Sequence, residues 1–169
     1  IIIENMTMLP EYSGIDNLKM LAKIKGIASE SDIRNAIEAV GLDPNDKKRV
    51  KAYSLGMKQK LNIAQAIMEK PKLLLLDEHT AALDPKTAEK VLQLTDRIVR
   101  QHNLTTLMIT HNMRDALRFG NRLIMMHAGR VVEDIPGDVK KTLAVPDLLD
   151  LFEKRAGKDV AVGDAMLLG

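Results

Sequence analysis

Cysteine is absent from the 169 residues. That removes any disulfide framework and any thiol chemistry, and it is compatible with a reducing cytoplasm. Long apolar runs are also missing. LLLL at 73–76 and LIMM at 123–126 fall far short of the roughly 20 residues that span a bilayer, so a membrane link has to come through a partner. Charge of one sign does not accumulate: 25 Lys and Arg are interspersed with 23 Asp and Glu, for a formal net charge of +2. Without a basic stripe, a nucleic-acid partner is not favoured. The opening Ile1, Ile2, Ile3 has no basic flank, is interrupted at Glu4 and is not preceded by a methionine. It reads as a strand cut open rather than a signal peptide, so the sequence is expected to begin in mid-domain. What is present, 46% hydrophobic and 28% charged residues, suits one globular domain with a substantial core.

Apolar periodicity supplies the elements. Residues 14–40 read as helical, with Ile15, Leu18, Leu21 and Ala22 and then Ile33, Ala36, Ile37 and Val40 recurring at three and four positions. Ser31 is the expected N-cap of the second part and Gly41 its C-terminal glycine; 41–51 is a polar connector. Leu61, Ala64, Ile67 and Met68 share a face of a helix expected over 57–69, ended by Pro71. The run at 73–76 is too short for a helix and fits a parallel strand covered on both faces. A helix over 86–101 separates it from a β-branched strand at 104–110, giving a strand, helix, strand unit. Residues 122–127 and 130–133 flank Ala128 and Gly129 and form a hairpin. A last amphipathic helix covers 146–155.

Three stretches carry chemistry. In LLLLDE at 73–78, two acids follow directly on an apolar strand, where open α/β sheets bind ligands. Asp77 there suits magnesium, directly or through water, and Glu78 suits orienting or deprotonating an attacking water. Taken alone, a strand ending in two solvated acids explains the motif equally well. In YSLGMKQKL at 53–61, Ser54 and the Gly56 backbone stand at a helix N-terminus, whose unpaired N–H groups and positive dipole suit a phosphate; a plain cap and turn is the simpler alternative. AALDP at 81–85 precedes the third stretch, His111 just after a strand, placed to donate to a phosphate or to hold a water. It is the order of the whole set from Ser54 to His111 that lifts it above coincidence.

On those residues the chain resembles the ATP-binding subunit of ABC transporters, from Ile1 to about Phe152. The resemblance implies an α/β fold, a partial P-loop NTPase: a helical subdomain and a parallel-sheet core, with a C-terminal β-hairpin and helices. It divides the chain into 1–70 (Q-loop region and helical subdomain with the signature), 71–135 (catalytic core) and 136–169 (C-terminal extension). YSLGMKQ matches the signature motif, bringing Ser54, Gly56 and Gln59 to nucleotide; LLLLDE matches Walker B, with Asp77 for magnesium and Glu78 for the hydrolytic water. Asp84 falls in the D-loop, His111 is the switch histidine, and Glu4 stands where a Q-loop glutamine is usual. ATP and Mg2+ are the implied cofactors of the complete domain. The implied partners are a second such domain, head to tail, and a membrane permease that holds the subunit at the cytoplasmic face of the membrane.

Departures qualify the match. Leu55 and Met57 vary the signature in the manner of bacterial antibiotic or peptide exporters, whereas 79–150 looks more importer-like, so a hybrid origin is one reading. His79 replaces the proline usual after the Walker B acids. No GxxxxGK[ST] occurs in the 169 residues; Gly137 with Lys140, Lys141 and Thr142 is only an echo of it. That loop is what cradles the phosphates, so the chain by itself is expected to bind and hydrolyse ATP poorly or not at all. Marginal stability is expected too, with Walker B's strand left an open edge. A truncated, non-catalytic interaction module and a piece of a soluble, non-transport ABC protein are the alternatives.

Overall fold

The computed structural model describes residues 2–3 and 8–156. It falls into two compact units, Ile1–Ile109 and Thr110–Gly169.

The first unit begins with β1 (Ile2–Ile3) and proceeds through α1 (Gly14–Lys25), α2 (Glu30–Ala39), α3 (Leu55–Met68), β2 (Leu73–Asp77), α4 (Pro85–Gln101) and β3 (Thr105–Ile109). The residues expected to form one helical stretch at 14–40 make two helices. α1 stops at Gly26, whose φ of +66° and N–H to the Ala22 carbonyl form a left-handed C-cap. α2 then starts from Ser29, not Ser31. Ser29 accepts from the Asp32 amide while Asp32 accepts from the Ser29 amide, a reciprocal capping box. Gly41 follows α2 at φ +67°, as expected.

All three strands are parallel, in the order β1-β2-β3. β2 is therefore central, and the open edge expected on it is not there. Ile2 and Ile3 lie in register with Leu75 and Leu76, and the whole of β2 pairs with β3. Among the described residues, the outer edges without a strand neighbour belong to β1 and β3.

The expectation that β2 is covered on both faces is also corrected. Leu74 and Leu76 are sealed at 1% and 2% exposure, inside a cluster with Leu61, Ile63 and Ala64 of α3 and Val91, Leu94 and Ile98 of α4. Leu73, beside Thr105 in the register, is 51% exposed, and on the same face Leu107 and Ile109 are 49% and 44% exposed. Side chains alternate across a strand, and the helices of this unit seal only the even-numbered side.

The second unit contains α5 (Met113–Arg118), β4 (Arg122–His127), β5 (Arg130–Pro136), α6 (Gly137–Lys140) and α7 (Val145–Ala156). β4 and β5 form the expected hairpin, antiparallel, with Ala128 at φ +47° and Gly129 at φ +75°, the pair of left-handed residues that a two-residue loop requires. Leu123, Ile135 and Leu148 form its small core. Two short helices, α5 and α6, are additions to the sequence reading. The buried Lys140 donates to the Phe119 and Gly120 carbonyls, so the lysine in the glycine-lysine echo at 137–142 is occupied in closing the chain after α5.

Candidate nucleotide-binding site

β2 delivers two carboxylates at its C-terminal end. Asp77 is the last strand residue, half-buried and in register with Ile109; Glu78 follows, exposed. Glu78 adopts φ +41°, a left-handed conformation that residues other than glycine rarely take. Its N–H donates to the Ile109 carbonyl (3.1 Å) and its carbonyl accepts from the Ala81 amide (2.9 Å). The chain thus breaks sharply from the strand with both backbone groups of Glu78 tied.

His79, the next residue, turns inward and is 8% exposed. Its Nε2 lies 3.4 Å from Thr95 Oγ1 on α4. Burial pushes the imidazole down to about 4, so it is neutral at physiological pH. In the sequence His79 stood out only as a replacement for proline; its anchoring against α4 was missed.

Ser54 caps α3, accepting from the Met57 amide at 3.2 Å. Gly56 is buried in the first turn, and a Cβ there would come within 2.6 Å of Thr87 Cγ2. The close approach of α3 to α4, not an unusual backbone angle, is what requires glycine at this position. Gln59 faces inward and accepts from Asn62 at 3.4 Å. Asp84 caps α4, accepting from the Thr87 amide at 3.0 Å, with Pro85 at the first helical position. Hydrogen bonds from the Thr87 side chain and then its backbone hold the Asp84 carboxyl below the usual carboxylate range.

His111 is exposed, two residues beyond the end of β3, and belongs to the second unit. Glu4 lies outside the described residues. The first unit therefore brings Asp77, Glu78 and His79 into one turn and joins the first turns of α3 and α4 through Gly56 and Thr87.

Magnesium calls for a hard oxygen ligand or two, completed by water and phosphate. Asp77 is chemically suited to be one of these. Among the described residues no group of three or more His, Asp or Glu side chains forms a cage for a metal. No helix among the described residues is long and apolar enough to cross a membrane.

Comparison with known proteins gives this geometry a family. The family profile described as ABC transporter matches residues 1–81. A tyrosine transport ATP-binding protein of Clostridioides difficile (strain R20291) is 41% identical over 152 residues, covering 89% of this chain and 59% of that protein. The chain belongs to the ABC transporter ATP-binding domain family. A bacitracin transport ATP-binding protein of Enterococcus faecalis is 35% identical, over 79% of this chain and 44% of that protein. Among solved structures, a dimeric post-hydrolysis state of an ATP-binding cassette bound to ADP and Pi matches with a TM-score of 0.65 at 25% identity. It covers 80% of this chain and 62% of that one. The fold is a partial P-loop NTPase fold of the ABC ATPase type, mixed helix and strand around a parallel sheet. The chain spans less than two thirds of the length of these relatives. The match of 152 residues takes in parts of both 1–70 and 79–150.

Proposed function

We propose that this chain is the signature-bearing and hydrolysis-completing portion of an ATP-binding subunit that couples ATP hydrolysis to transport across a membrane. The observation carrying this is the end of β2, where Asp77 and Glu78 emerge side by side at the C-terminal edge of a parallel sheet, the ligand-binding edge of open α/β folds. In this reading 1–70 is the helical subdomain, 71–135 the catalytic core and 136–169 an extension.

Asp77 supplies an oxygen to Mg2+, which when bound neutralises charge on the phosphates. Glu78 accepts a proton from the attacking water, or orients that water. His111 donates to the γ-phosphate. Ser54 and the α3 N-terminus serve nucleotide held by a second ATP-binding domain arranged head to tail, with Gln59 and Asp84 supporting the composite site and Glu4 at the position of the Q-loop residue. A permease holds the subunit at the cytoplasmic side of the membrane. The ATP-capturing GxxxxGK[ST] loop is not within residues 1–169, so residues 1–169 alone bind MgATP weakly and do not turn it over.

The test is Glu78→Gln in the intact protein, which should retain ATP binding while hydrolysis is lost; undiminished turnover removes Glu78 from the role. Calorimetry of residues 1–169 with MgATP tests the second point, and micromolar binding with hydrolysis would refute it.

A further inference from the structure

The left-handed backbone of Glu78 has to be held by its surroundings, since such a conformation persists in a residue other than glycine only where neighbouring structure over-determines it. Two of the restraints are the bonds to Ile109 and from Ala81. The third comes from His79, and its chemistry can be read from Thr95. Thr95 Oγ1 lies 2.8 Å from the Val91 carbonyl and 3.4 Å from His79 Nε2. A carbonyl can only accept, and a hydroxyl has one proton to give. With that proton on Val91, the face of the hydroxyl turned to His79 is a lone pair, so Nε2 must be the ring nitrogen that carries hydrogen.

We propose that His79, as its Nε2–H tautomer donating to Thr95, is a positioning residue that pins the turn after β2 to α4 and thereby aims the Glu78 side chain. The proposal rests on the reading of Glu78 as the water-activating group. Proline at this position, usual in the family, restrains the backbone through its own ring; histidine does so from the far end of a buried side chain. The ring is 8% exposed and Thr95 4%, so water has little access to either partner. The contact is long for an N–H···O bond, which makes the tautomer the direct measure of whether it forms.

Long-range 1H–15N correlation spectra of the histidines report the tautomer, with His79 assigned among the four by His79→Gln. The Nε2–H pattern is expected, relaxing to a mixture in Thr95→Val, which keeps the shape and removes the acceptor. In the intact protein, Thr95→Val and His79→Leu should each lower kcat for ATP about tenfold with KM changed by no more than about twofold. His79→Gln, whose amide nitrogen can replace Nε2, should restore most of the rate. An Nδ1–H tautomer, unchanged turnover in Thr95→Val, or a KM that rises in step with the fall in kcat overturns the proposal. Should His79→Leu fail to fold, Thr95→Val and the tautomer still decide. Undiminished turnover in Glu78→Gln would instead overturn the reading of Glu78, and the tautomer result stands apart from it.

Discussion

The two faces of the parallel sheet are built from the same residue types and meet opposite fates. On one, Leu74 and Leu76 are closed over by α3 and α4; on the other, Leu73, Leu107 and Ile109 remain about half exposed. The difference teaches that an apolar run such as LLLL reports the capacity of both faces to be buried, whereas the helices actually present decide which face is. Isolated exposed leucines are ordinary, but several half-exposed apolar residues on one face of a sheet are the kind of surface that gains from being covered.

The comparison breaks most visibly through truncation. Leu76→Ala should cost about 2–5 kcal/mol by urea denaturation, the range for a sealed core leucine, and Leu107→Ala less than about 1 kcal/mol. Equal losses would mean that the open face is covered in solution.

Acid probes the sealed side through His79. Its folded value of about 4 lies below the roughly 6.5 of an unfolded histidine, so the unfolded chain binds the proton first. The contribution of the neutral ring is fully present above pH 6.5 and is lost as pH falls towards 4. Its full size is about 3 kcal/mol. His79→Gln should flatten that part of the stability-pH curve, and an unchanged slope would place the ring in water.

A tighter probe is Gly56, where the α3 and α4 surfaces meet. Gly56→Ala places a methyl against Thr87 Cγ2 and should cost about 1–3 kcal/mol, most of it recovered in Gly56→Ala with Thr87→Ser. The smallest effect belongs to the exposed rim. Asp84→Ala removes the α4 cap and should cost about 1 kcal/mol, with Asp84→Asn near wild type in thermal melts.

Much of both units was legible in sequence because the signals are local. Strand lengths, the helix over Pro85–Gln101 and the hairpin turn at Ala128 and Gly129 follow from periodicity, proline and glycine placement. The α2 cap is Ser29 rather than the expected Ser31, because the reciprocal bonds between Ser29 and Asp32 close a capping box there. α5 and α6, at six and four residues, are too short to show a period.

For the candidate site, sequence marked the residues but not their company. It picked out Asp77, Glu78 and Ser54 by type and order, and so determined the family and the class of ligand to seek. It could not show that β2 is central between β1 and β3, because strand order depends on contacts between residues far apart in the chain. Nor could it show that His79 turns inward to Thr95, sixteen residues on. That was decided only when β2 and α4 packed together, since burial and hydrogen-bond partnership are properties of the assembled core rather than of any stretch of sequence.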